Sequence, residues 1–462
     1  MCPPAYSDFS RHEDWARRTS FSSVGKELGD GTKAGEPRER RQGYTSWVSR
    51  PRSRLRRLGW LGLTLLVPSC AHLPVCPQEG GPVWSEWRTT HFRIVTDLEA
   101  PKAEQTAQSF ELVRDALVFA AWHREPDPPL PIDVVVLSSR AAMLAVLPAY
   151  VEGAFISPEP WHDGLVLLSG TTPLEGSETV KHELVHALAW RFGLRNAPPW
   201  LMEGLAVYLS TTHFADGGRR VAYGDAHMRS LRTLANTGTL DFDELWRRPD
   251  LADSACFYAT SWLLVHYLYN HRADAFRIYQ TRLSSGKAPR ALWDEVFPGW
   301  SADSVSADLN AYLDGGNFYR YHAEFAPSAP IIKSKVLSHA AVHGWRALLF
   351  GLASAHANRR DETLALAAQE ASTALTADPF ELQATLIQRL LLRQNTDDLV
   401  GARRLVEHHS RSPRAWLVLG QALLAAHQDA EANVALTRAA AMIEADIGGA
   451  KPGAIRPAQP HE

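Results

Sequence analysis

The chain has 462 residues, 45% of them hydrophobic and 21% charged, with a formal net charge of −3. That is the composition of a globular protein of two or three domains, and its near-neutral balance excludes a nucleic-acid partner as the default expectation. Cys2, Cys70, Cys76 and Cys256 are too scattered for a disulfide framework or a thiolate zinc site, leaving only a Cys70–Cys76 bridge as conceivable.

Residues 1–49 are polar, rich in Arg, Gly and Ser, and aperiodic, which reads as disorder or as sequence upstream of the true start. Residues 50–70 read as a signal peptide. Arg50, Arg52, Arg54, Arg56 and Arg57 form a basic segment, and Leu58 to Val67 an apolar core too short to span a bilayer. Val67-Pro68-Ser69-Cys70 resembles a bacterial lipobox, with Pro68 as a departure. The expectation is an exported lipoprotein, anchored through Cys70 on the periplasmic side of the cell envelope, with its true start near Val48. The competing reading of this segment is a buried apolar helix.

From Trp84 the pattern alternates. His91–Thr96 and Pro131–Leu137 read as strands, with a helix over Lys102–His123 between them and another over Arg140–Tyr150. Gly164–Leu168 is a third strand, after which the chain is almost entirely helical. The fold class is therefore α+β, with a small mixed sheet followed by a helical half in a domain over 84–315. Residues 338–445 are Ala- and Leu-rich with helical periodicity. Pro379 and Pro413 lie 34 residues apart (413 − 379), the period of a tetratricopeptide repeat, and Trp416-x-x-Leu419-Gly420 matches the start of that repeat's signature. A generic helical bundle is the alternative. Residues 446–462 read as a flexible tail.

His182-Glu183-Leu184-Val185-His186 carries the chemistry. Ser177 is a candidate N-cap and Gly193 a candidate C-terminal stop for the surrounding helix. Histidines at i and i+4 lie one above the other on a helix face, so one Zn2+ can take both imidazoles. Glu183 is about 100° further round, able to reach a water at the metal but not to ligate it comfortably. After Gly193 a short loop reaches Pro198-Pro199 and a second helix carrying Glu203, which can return to face the histidines. Two His and one Glu leave an open position, the mark of a catalytic zinc. Gly204 and Ala206 would let the helices approach closely.

His-Glu-x-x-His followed by Trp200-Leu201-Met202-Glu203-Gly204-Leu205-Ala206 resembles the gluzincin metallopeptidases, and within them the bacterial peptidase MA-like family, which often carries tetratricopeptide repeats. The resemblance covers about Trp84 to Gly315. It implies a thermolysin-like catalytic domain and one Zn2+ per chain. The implied ligands are His182, His186 and Glu203, with Glu183 as general base. Tyr258, opening the helix Ala255–Tyr269, matches the family's oxyanion-stabilising tyrosine, and His227 is the alternative donor. His213, His266 and His271 are read as satisfied or solvated histidines. Three features depart from the pattern. Residues 187–202 make a gap of 16, slightly shorter than in thermolysin or aminopeptidase N. The Gly-x-Met-Glu-Asn stretch of aminopeptidase N relatives is missing, which argues against an aminopeptidase. Val207 stands where thermolysin-like proteins place a carboxylate behind a ligand.

The implied activity is peptide hydrolysis, with an extended substrate pairing along Gly164–Leu168 or Gly153–Ser157. The repeats would bind a protein partner. A different class of reading is an exported scaffold or assembly lipoprotein whose zinc site is structural or vestigial. A third is hydrolysis of a non-peptide amide.

Overall fold

Short β-branched and apolar runs make the strands, and where they pair decides everything below them. A computed structural model of the chain describes residues 19–21, 72–122, 131–148, 151–170, 174–215, 218–247, 254–324, 330–355 and 360–448. The signal and lipobox segment and the C-terminal tail from 449 lie outside these residues. Of the extension 1–49, only Thr19–Phe21 lies inside them, as the short strand β1.

The main sheet contains β1, β2 (Ser85–Arg88), β3 (Phe92–Thr96), β4 (Ile132–Leu137), β5 (Gly153–Ile156), β6 (Leu165–Ser169) and β10 (Lys333–Val336), in the order β1-β5-β6-β4-β3-β2-β10. The centre is parallel: β3 pairs with β4 (Phe92 with Ile132) and β4 with β6 (Asp133 with Leu165). The flanks are antiparallel, with Ile156 of β5 opposite Leu165 of β6 and Thr19 of β1 opposite Ile156. Helix α1 (Ala100–Trp122) makes the β3–β4 crossover that parallel pairing requires.

Side chains alternate between two apolar cores. Phe92, Ile94, Val134, Val136, Phe155, Val166 and Leu168 face α1 and the helical half of the molecule. Val95, Val135, Leu137, Ala154, Ile156, Leu165 and Leu167 face the other way. Burial on both faces is why these strands read as continuous apolar runs.

The second face is covered by the start of the Ala- and Leu-rich region. Helix α11 (His339–Ala353) lays Val342, Trp345 and Leu349 on it, backed by α12 (Arg360–Ala377) and α13 (Leu382–Leu386), which runs on into a π-helical turn over Ile387–Leu391. The expected domain break between 315 and 338 is crossed in this way: β10 joins the main sheet beside β2, and α11 completes its core. Helices α14 (Leu399–His408), α15 (Pro413–Ala425) and α16 (Asp429–Gly448) form a third, smaller core with Leu386.

One other expectation is revised. The helix over Arg140–Tyr150 shrinks to α2, Arg140–Met143, capped by Ser139. The chain then turns, burying Ala145, Val146 and Leu147 in the second core before Pro148, which has no N–H to continue a helix. Cys76 is a buried free thiol; Cys70, its conceivable bridging partner, lies outside the described residues.

Under the first face lie α3 (Glu178–Arg191) and α4 (Pro199–Ser210). A small sheet of β7 (His213–Ala215), β8 (Arg220–Tyr223) and β9 (Tyr321–Glu324) flanks them. The lower half is built from α5 (Met228–Thr237), α6 (Phe242–Arg247), α7 (Ala255–His271), α8 (Ala273–Leu283), α9 (Pro289–Val296) and α10 (Ala302–Gly315). Trp200 anchors α4 there, within ring-stacking distance of Trp246, Tyr279 and Trp293. No described helix is long and apolar enough to cross a membrane.

Helix α4 lies tight against α7 because position 204 has no side chain. A Cβ at Gly204 would fall deep inside van der Waals contact of the Ser261 backbone carbonyl. Gly204→Ala is therefore expected to cost about 3 kcal/mol, the upper part of the range for overpacked cores, read from urea denaturation. An unchanged midpoint would contradict this packing.

Candidate metal centre

Helix α3 starts where Ser177 caps it, its side chain accepting from Val180 N, and ends at Gly193, whose φ of 78° suits glycine. Every residue from Thr179 to Ala189 is buried, so the helix runs enclosed between the sheet and α4. Its His182 and His186 put their Nε2 atoms 3.0 Å apart.

The loop to α4 is short, with one 3-10 turn at Leu194–Asn196, and Pro199 occupies the first turn of the new helix. One turn further in, Glu203 turns back toward α3. Its Oε2 lies 3.3 Å from His182 Nε2 and 3.5 Å from His186 Nε2. One donor atom from each of His182, His186 and Glu203 lies within 4.8 Å of the others, and all three residues are buried.

This donor set fits a divalent cation. Glu203 Oε2 is buried and makes no hydrogen bond among the described residues, although it faces both rings. Burial alone would raise the Glu203 pKa, but the facing imidazoles, His186 first and then His182, bring it down to about 2. Burial lowers the pKa of His182. The carboxylate is thus held ionised and the His182 imidazole neutral, the forms that ligate a metal.

Glu183 lies on the adjoining face, fully buried, and its Oε2 accepts a 2.7 Å hydrogen bond from the backbone N–H of Phe155 in β5. No sequence signal announces this contact, because the donor is a main-chain group 28 residues upstream. Both strands considered for substrate pairing have neighbours on each side, β6 between β4 and β5 and β5 between β6 and β1, and of the two it is β5 that bonds Glu183.

Tyr258 sits in the first turn of α7, partly buried, with its ring 6.2 Å from that of His182. His227 caps α5, its Nδ1 2.7 Å from Ser230 Oγ and its Nε2 3.7 Å from Glu178 Oε2. Of the two candidate donors, Tyr258 thus lies against the His182 ring, while His227 is engaged at the start of α5.

The remaining histidines are engaged elsewhere. His266 is held between Tyr312 Oη and Gly224 O at 2.9 Å each, His213 meets Asp225 at 3.2 Å, and His271 packs on Tyr267 and Tyr312. Behind the ligands, Val207 is buried, and His186 Nδ1 has no hydrogen-bond partner among the described residues. A further group, His91, Glu111 and Asp115, lies close together. Its carboxylates are already engaged, Glu111 by His91 at 2.6 Å and Asp115 by Arg114 at 2.9 Å.

Two adjacent helices bringing two imidazoles and a carboxylate together, with a second carboxylate alongside, define a candidate metal centre of the two-histidine, one-carboxylate kind. Residues 177–290, from the cap of α3 to the start of α9, match a family described as "Protein of unknown function (DUF1570)". A search of curated proteins found no match.

Two outcomes follow from this geometry. Burial lowers the pKa of His266 from 6.5 to about 4. Between those values the unfolded chain binds a proton that the folded chain does not. Stability is therefore complete above about pH 6.5 and falls toward about pH 4, measurable by urea denaturation across that window; a flat profile would contradict it. Separately, Glu203→Gln is expected to weaken zinc binding by more than about 100-fold, beyond the usual cost of losing an outer-shell partner. Competition with a chromophoric chelator measures this, and an unchanged affinity would remove Glu203 from the ligand set.

Proposed function

We propose that this protein is a zinc-dependent hydrolase of the gluzincin kind that cleaves peptide bonds. The observation that carries the reading is the convergence of His182, His186 and Glu203 within 4.8 Å, beside a buried Glu183 tied to a strand near the sheet edge. Bound to these residues, Zn2+ would supply the Lewis acidity that makes water a nucleophile near neutral pH. Glu183 then acts as general base. With Oε2 fixed by Phe155 N–H, its Oε1 takes the proton of the attacking water and delivers it to the leaving amine. Tyr258, in the first turn of α7, donates its phenolic proton in a hydrogen bond to the developing oxyanion. His227 is the alternative donor.

An extended polypeptide suits the neighbouring strand. Thr19–Phe21 already pairs with the outer edge of β5 in antiparallel register, and a substrate segment would take its place there. A substrate held there would hydrogen-bond through its main chain, with its side chains read on alternate faces. The same reading takes α3, α4 and the sheet above them as a thermolysin-like core.

The end of the chain is consistent with a tetratricopeptide-like hairpin. Gly420 of α15 faces Leu436 of α16 so closely that a Cβ would stand 2.5 Å from Leu436 Cδ2, and Arg438 stacks over Trp416 at 4.2 Å. These helices would present a surface to a protein partner, on a lipoprotein tethered through Cys70.

The reading is tested with zinc-loaded protein and a library of peptides and unfolded proteins. Glu183→Gln is expected to keep its zinc and lose about 10²–10⁴-fold in turnover or more. Tyr258→Phe is expected to lose about 10²–10³-fold in kcat with KM little changed. Zinc-loaded protein that cuts nothing the Glu183→Gln variant leaves intact would favour a scaffold instead.

A further inference from the structure

On the far face of the sheet, α11 repeats the geometry of α3. Ser338 caps it, and His339 and His343 stand at i and i+4 in its first turns. Their Nε2 atoms are 3.1 Å apart and their rings 4.4 Å apart, against 3.0 Å and 4.7 Å for His182 and His186. The thiol of Cys76, fully buried, joins them, so that Sγ and the two imidazole donor atoms all lie within 4.8 Å of one another.

Four further contacts give this cluster the form of a metal site. His343 Nδ1 lies 2.5 Å from Glu370 Oε2. The imidazole therefore donates its proton to the carboxylate and turns its Nε2 lone pair toward His339 and Cys76. A carboxylate behind a histidine is how proteins commonly orient a metal-binding ring. Glu370 is itself held by Arg346 Nη2 at 2.6 Å. In front, Glu79 Oε1 is 3.9 Å from His343 Nε2, while its Oε2 accepts from Cys76 N at 3.4 Å. Glu79 is half exposed and can close the remaining distance by a side-chain rotation.

We propose that Cys76, His339 and His343 form a second metal site, taking a zinc-class divalent cation through one thiolate and two imidazoles, with Glu79 as the fourth donor. On binding, the Cys76 S–H proton leaves to solvent and the sulfur–metal bond forms. His339 gives up its Nε2 contact with His343, moves its ring proton from Nε2 to Nδ1 by exchange with solvent, and ligates through the freed Nε2. One sulfur, two nitrogens and one carboxylate oxygen complete a tetrahedral set, closed and therefore structural, unlike the three-donor centre on α3. Its effect is to staple residues 72–80 onto α11. Arg346 already supports this clasp by hydrogen bonds from Nη1 to the carbonyls of Leu73 and Pro74.

The test uses the full chain, loaded first with zinc and then with Co2+. Expected are two zinc ions per chain in the unmodified protein and one in Cys76→Ser. The Co2+ form should show a near-ultraviolet thiolate-to-cobalt charge-transfer band that persists in Glu203→Gln and is lost in Cys76→Ser. His339 is only partly buried, so His339→Gln serves as a second variant should the serine disturb folding, and it too should bind one zinc fewer. A zinc count unchanged by both variants, or a cobalt spectrum without a thiolate band, overturns the proposal. Loss of metal in Glu203→Gln but not in Cys76→Ser would leave the α3 centre standing and refute this one; the reverse would do the opposite.

Discussion

The interaction on which the site depends is the meeting of an ionised Glu203 with two imidazoles inside apolar walls. Helix α3 is buried from Thr179 to Ala189, so His182, Glu183 and His186 sit where isolated polar groups are costly. Glu203 offsets that cost from one side and Phe155 N–H from the other. A cation between three such donors relieves both the charge and the unmet hydrogen-bonding capacity of Glu203 Oε2.

That arrangement demands two rigid surfaces, and the fold provides them. Above, parallel strands buried on both faces hold β5 in place. Below, α4 is pinned to α7 at Gly204 and anchored by Trp200 among aromatic rings. The second face of the sheet is closed by α11, so the helical region is part of the platform. Contacts run back from it to the centre's vicinity: Arg414, at the start of α15, bonds Asp163 and the His162 carbonyl just ahead of β6.

Much of the centre was legible in the sequence because its determinants are local. Ser177, Gly193 and Pro199 mark helix ends by backbone chemistry, and the i, i+4 histidines imply a shared face once the helix is granted. Gly204 signalled close packing for the same reason. What escaped depends on partners far apart in the chain. Phe155 reaches Glu183 through a main-chain group that any residue carries. Cys76 meets His339 and His343 only because α11 folds back over the sheet, so cysteine spacing alone pointed away from a thiolate site. The short α2 and the role of β10 were likewise set by packing on the second face, which a composition change near 338 concealed.

The central claim is that His182, His186 and Glu203 hold one cation. Anomalous diffraction from crystals of the zinc-loaded protein, collected on both sides of the zinc edge, tests it most directly. A peak on α3 within about 2.0–2.2 Å of both Nε2 atoms and a Glu203 oxygen is the result this account requires. No peak there, or a Glu203 carboxylate rotated away from the imidazoles, would contradict it.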